Sequence, residues 1–254
     1  MYAERTAVVT GAGAGIGRAV ALRLANAGCN VGLFDLDAAA LRKTAELVGG
    51  LGRRAVIAVG DVSVRADVAA AVDSFTAAFS AIDILVNNAG ILRTAKFLDT
   101  THSDWRRIFA INLDGVFFFC QAVLPGMVGR RCGTVVNMSS WTGKKGVANH
   151  AAYGATKAAI INLTQSLAEE FGGFGIRVNA VCPGIIVDTN MRTEAEALNL
   201  AQGLPDVETR AKSIPLRAAG YPSDIADVVA FLASEQARYV TGEAVNVTGG
   251  LWMN

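Results

Sequence analysis

Tyr153 and Lys157 lie four residues apart in an Ala-rich segment that favours a helix. On a helix they share one face, one turn apart. An ammonium beside a phenol stabilises the phenolate. The pair therefore predicts a Tyr153 pKa drawn down from about 10 toward a value useful for proton transfer near neutrality. Ser140 stands thirteen residues before the tyrosine, just after the apolar run Gly133–Asn137. Its hydroxyl is expected at the end of a strand, facing the start of the helix. A Tyr-x-x-x-Lys pair by itself is common on solvated helix faces, so this reading needs a cofactor site elsewhere in the chain.

The stretch Thr10-Gly11-Ala12-Gly13-Ala14-Gly15-Ile16-Gly17 couples an apolar strand, Thr6–Thr10, to an amphipathic helix. Glycines let the backbone approach a pyrophosphate, and a helix N-terminus offers free N–H groups and a positive dipole end. The spacing is G-x-x-x-G-x-G, with Gly13 as an extra glycine. Asp35 ends the second strand eighteen residues after Gly17. A carboxylate there can accept hydrogen bonds from the adenosine ribose and repels a 2′-phosphate. Ala12, Ala14 and Leu36 supply no cation, so NAD is expected rather than NADP; the alternative role for Asp35 is to cap the next helix. Asp61-Val62, after the third strand, is placed to meet the adenine. Asn88-Ala89-Gly90, after the fourth, suits the cofactor's side. Asn112 lies in an apolar helical run, where a buried amide must be satisfied. It either bonds its own helix or a neighbouring strand, or it positions a water.

The elements needed to hold these groups recur along the chain. Seven strand candidates, with the fourth at Ile82–Val86, alternate with helices and predict a doubly wound parallel α/β sheet of Rossmann type. In such sheets the ligand crevice lies at the carboxyl ends of the strands, where Gly11–Gly17, Asp35, Asp61, Asn87–Gly90, Ser139-Ser140 and Pro183-Gly184 are expected. A long helix is expected from Ser103 to Val128, interrupted or tightened near Pro125-Gly126. Residues 1–254 read as one domain, with a substrate lid at about 190–220.

Composition excludes other classes. Apolar residues make up 52% and charged residues 18%, enough for a large core and contrary to disorder. The net charge is +1 and the basic pairs are scattered, so no nucleic-acid footprint is present. Four cysteines at Cys29, Cys120, Cys132 and Cys182 and two histidines match no metal spacing. No uninterrupted apolar run approaches the ~20 residues of a membrane span. The first strand follows closely on Met1, leaving no room for a signal peptide, and the chain is expected to be cytoplasmic.

In their order and spacing these residues resemble the classical short-chain dehydrogenase/reductase family over nearly the whole chain. The matching set is Thr10-Gly11-x-x-x-Gly15-x-Gly17, Asp61, Asn87-Asn88-Ala89-Gly90, Asn112, Ser140, Tyr153-x-x-x-Lys157 and Pro183-Gly184. The resemblance implies a nicotinamide cofactor and a tetrad of Asn112, Ser140, Tyr153 and Lys157. In it Tyr153 is the acid/base, Ser140 binds the substrate oxygen, Lys157 activates the tyrosine and holds the nicotinamide ribose, and Asn112 holds a water. The family's threonine after Pro-Gly falls at Asp188 here, with Thr189 one later, and Thr189 is expected to take its contact.

Substrate choice is expected to rest on Leu92, Trp141, His150, Ile185 and the segment 190–214. Thr193, Glu194, Glu196, Asn199, Gln202 and Arg210 make that segment polar. Together with a C-terminus similar to that of some polyol dehydrogenases, this suggests a polyol or other small alcohol or ketone. The alternatives are a 3-oxoacyl carrier-protein reductase and a non-catalytic dinucleotide sensor. Lys144-Lys145 is read as a solvated loop in preference to a phosphate site. Apolar residues on several faces of the long helices, Phe117-Phe118-Phe119 among them, suggest a homotetramer.

Overall fold

A computed structural model describes residues 5–201, 203 and 205–253; the side chains at 194, 195, 198, 199 and 201 fall outside that description. The first half alternates strictly: β1 (Thr6–Thr10), α1 (Gly15–Asn26), β2 (Asn30–Asp35), α2 (Ala38–Gly50), β3 (Ala55–Val59), α3 (Arg65–Phe79) and β4 (Ile84–Asn87). β4 starts later than the sequence suggested. Next come α4 (His102–Phe109), a π-helical turn (Ala110–Asp114), α5 (Gly115–Arg130) and β5 (Gly133–Met138). α6 (Ala151–Phe171), β6 (Ile176–Pro183), α7 (Asn190–Ala201), α8 (Val207–Ala211), α9 (Pro222–Ala233) and β7 (Ala244–Val247) follow.

The strands form one parallel sheet in the order β3-β2-β1-β4-β5-β6-β7. Side chains on a strand alternate between faces, and the core divides accordingly. Ala7, Val9, Ile84, Val86 and Val136 meet α1, α2 and α9 on one face. Val8, Leu85 and Val135 meet α3, α5 and α6 on the other. Both faces are covered, which explains why the strands read as apolar runs. The order reverses between β1 and β4, and that switch point opens the ligand crevice.

The break expected at Pro125-Gly126 is not there. Pro125 lies inside α5, and the rod departs from α geometry at Ala110–Asp114 instead. A π turn inserts an extra residue and re-aims a side chain; here the re-aimed residue is Asn112. The whole rod, His102–Arg130, is long and apolar enough to cross a membrane by length and composition. In this fold Val116, Phe119, Cys120, Val123, Leu124 and Met127 are buried in the core.

Candidate active site

The glycine turn lies at the end of β1. Gly11 and Gly15 have φ of 65° and 50°, and a Cβ on Gly17 would stand 1.9 Å from the Gly11 carbonyl oxygen. α1 begins without a side-chain cap, leaving its first-turn N–H groups available to an anion. Gly11, Gly15, Ile16, Gly17, Asp35, Asp61, Val62, Asn88, Ala89 and Gly90 line one cleft of about 350 Å³. Asp35 accepts from the Gly13 N–H at 2.9 Å and from the Asp37 N–H at 3.1 Å. Capping of α2 falls to Asp37, which accepts from Ala39 and Ala40. Among the described residues, this wall carries Asp35, Asp37 and Asp61 against a single guanidinium, Arg107. An uncapped helix start behind a glycine turn, with a carboxylate at the end of β2, fits a dinucleotide.

Ile16, Asn88, Gly90, Thr189 and Met191 also line a second cavity of about 440 Å³. Ser140, Tyr153, Lys157, Pro183 and Gly184 are in its wall. Ser140 follows β5 and its Oγ accepts from the Thr142 N–H at 3.2 Å. Tyr153 and Lys157 share the first turns of α6 and are 9% and 3% exposed. Ser139 donates its hydroxyl to the Lys157 carbonyl at 2.7 Å, tying β5 to α6. Burial pushes the Tyr153 phenol above its usual range; a hydrogen bond from Ser140 and the charge of Arg192 oppose this without cancelling it.

The expectation that Lys157 draws the phenol down is therefore not met. Lys157 Nζ donates to the Met138 carbonyl at 2.8 Å and sits 5.5 Å from the Tyr153 ring centre. Desolvation acts on the lysine as well, lowering it to about 8.

Asn112 is fully buried. It accepts from the Ile91 N–H at 2.8 Å, and its amide donates to the Ile91 carbonyl at 3.0 Å and to Thr156 Oγ1 at 3.3 Å. It thus joins the loop after β4 to α6, instead of bonding its own helix or a strand. A Cβ on Gly90 would lie 3.2 Å from Asn112 Oδ1 and 3.6 Å from Lys157 Nζ, so the glycine keeps those two groups close.

Thr189 faces Gly15, whose Cβ would meet Thr189 Cγ2 at 3.2 Å, and its Oγ1 accepts from the Arg192 N–H. Asp188 takes up the turn with φ of 57°. Leu92, Trp141, His150 and Ile185 all line the second cavity. Lys144 donates to the Ala244 carbonyl, and the Lys145 ammonium lies 5.1 Å over the Trp252 ring. Gln202 and the side chains of Glu194 and Asn199 lie outside the described residues. Sequence reasoning missed Arg192 altogether and took Arg210 only as lid polarity; both line the cavity. A guanidinium near the start of an amphipathic helix carries no sequence signal for which way it faces.

A dinucleotide cleft running into a cavity with a buried phenol, hydroxyl and ammonium supports hydride exchange at a carbonyl carbon. The class is a nicotinamide-dependent oxidoreductase. A family model described as enoyl-(acyl carrier protein) reductase matches residues 11–252. The (3R)-3-hydroxyacyl-CoA dehydrogenase of Homo sapiens is 41% identical over 258 residues, covering 97% of this chain and 95% of that protein. The 2-(S)-hydroxypropyl-CoM dehydrogenase 3 of Xanthobacter autotrophicus is 40% identical over 244 residues, covering 96% and 94%. A solved structure of NAD+-bound xylitol dehydrogenase has a TM-score of 0.94 at 35% identity, covering 98% of this chain and 99% of that one. The chain belongs to the short-chain dehydrogenase/reductase family and is an oxidoreductase acting on secondary alcohols and their ketones.

Proposed function

We propose that the protein interconverts a small polar secondary alcohol, polyols included, and its ketone, with NAD(H) as the preferred cofactor. The observation that carries this reading is the meeting of Ser140, Tyr153 and Lys157 in a cavity continuous with a carboxylate-lined dinucleotide cleft. The nicotinamide, when bound, supplies the hydride exchange. In oxidation, Ser140 and Tyr153 hold the substrate oxygen by hydrogen bonds, and Tyr153 takes its proton while passing its own toward Lys157. Lys157 relays that proton onward, toward a water beside Asn112. In reduction, Tyr153 returns a proton to the oxygen.

Preference for NAD rests on Asp35 in a wall of three carboxylates and one guanidinium. Asp35→Ala should raise the KM for NADH about tenfold to a hundredfold, the ~1.5–3 kcal/mol of hydrogen bonds to a charged group, and so narrow the gap to NADPH. A wild-type enzyme preferring NADPH overturns this assignment. Oxidation and reduction screens with both cofactors, over polyols, simple 2-alkanols and 3-oxoacyl thioesters, test the substrate class by the absorbance of the reduced nicotinamide. The name of the human relative supports a thioester as the second reading. Turnover of thioesters alone would decide for it.

A further inference from the structure

The substrate cavity holds a cation that the tetrad does not use. Arg192 lines it beside Arg210, and no carboxylate is among its described lining residues. Arg210 is paired: its Nη2 hydrogen-bonds Glu196 Oε2. Arg192 Nε is buried without a hydrogen-bond partner. Desolvation first, then the like charge of Arg210, lowers its pKa against the pull of Glu196 and Tyr153. A buried donor left unpaired costs free energy comparable to a lost hydrogen bond, and the charge of Arg192 is felt at the Tyr153 phenol. Among the described residues, Glu196 is the carboxylate tied to Arg210, and Arg192 Nε is left without a partner at a cavity wall that also holds Lys157.

We infer that the substrate carries a carboxylate that is received by Arg192 when its hydroxyl or ketone lies at Ser140 and Tyr153. This rests on the dehydrogenase reading above and narrows it. A guanidinium suits such groups because its fork donates two parallel charge-assisted hydrogen bonds to paired oxygens. Arg210 completes the subsite from α8 while remaining tied to Glu196. The bland alternative is that Arg192 serves only Glu196, four residues along the same helix, whose Oε1 is also unpartnered.

The test compares three ketoacids, 3-oxobutanoate, 4-oxopentanoate and 5-oxohexanoate, each with its methyl ester. At one length or more, kcat/KM for the acid should exceed that for the ester by about tenfold to a hundredfold, the range for hydrogen bonds to charged groups. Arg192→Met should erase that ratio, mainly through the KM of the acid, and Arg192→Lys should keep part of it. Glu196→Gln, which frees positive charge, should raise the ratio. Esters preferred at every length, or a ratio unmoved by Arg192→Met because acid and ester fall alike, overturn the inference while leaving the dehydrogenase standing. Calorimetry of the same acids on the cofactor-free chain gives a readout independent of turnover. If no alcohol or ketone is turned over but acid binds and Arg192→Met abolishes that binding, the dehydrogenase reading fails and the anion site stands. Absence of acid binding together with absence of turnover removes both.

Discussion

Lys157, 3% exposed with its ammonium on the Met138 carbonyl, is lowered to about 8, while burial raises the Tyr153 phenol. Burial thus moves the two groups in opposite directions, Tyr153 up and Lys157 down. Alcohol oxidation should rise with pH through about 8, and ketone reduction should fall over the same range. Lys157→Met leaves a buried phenol alone, so the rising limb should move above ~10. Tyr153→Phe removes only an oxygen; it should keep cofactor affinity yet lower kcat by at least ~10²–10⁴. Cys182 is the control, since its buried thiol is also raised and feels Lys144 and Lys157. A limb that shifts in Cys182→Ser and ignores Lys157→Met would show that the tyrosine assignment is wrong.

β1, the glycine turn and α1 make up the element that seats the cofactor, and Gly17 is its tightest point. A methyl there would lie 1.9 Å from the Gly11 carbonyl oxygen, so the loop must move. Gly17→Ala should weaken dinucleotide binding at least tenfold and lower stability by roughly 1–3 kcal/mol, the usual cost of overpacking. Gly49→Ala, near the end of α2 with nothing within 4 Å of its would-be Cβ, should hold or raise the Tm and leave binding unchanged. Titration of the dinucleotide by tryptophan fluorescence, beside a thermal melt, separates the two. Elements of this kind were legible from the chain because short apolar strand runs, glycine turns and strand-end carboxylates are local signals. The π turn at Asn112 was not, since its purpose is a long-range one: tying Ile91 to Thr156 across two elements. Pro125 misled for the complementary reason, a strong local breaker tolerated inside a helix packed in the core. Arg192 was invisible because the sequence shows a polar lid without showing which of its charges turn inward.

Over the whole molecule, the exposed large apolar side chains include two sets that form two zones by their place in the chain. Phe97, Leu98 and Phe117 stand at 68%, 94% and 43% exposure around α4 and α5; Phe231, Tyr239 and Met253 stand at 45%, 100% and 71% around α9 and the chain's end. The first zone includes the outer side of the rod that is apolar enough to cross a membrane, but its inner side is already committed to the core. We propose that each zone meets its own copy across a two-fold axis, since a self-complementary patch closes a dimer and two such patches close a tetramer. Burying one such aromatic side chain is worth about 1.5–3 kcal/mol, and each appears twice in an isologous contact. Light scattering at micromolar concentration should give four times the 26.4 kDa chain mass. Phe117→Asp and Phe231→Asp, each opening one zone, should each leave a dimer, and the double variant a monomer. A wild-type chain at the mass of one copy sinks the assembly outright. A tetramer that ignores both substitutions would place its contacts elsewhere on the surface and leave these two zones without the role assigned to them.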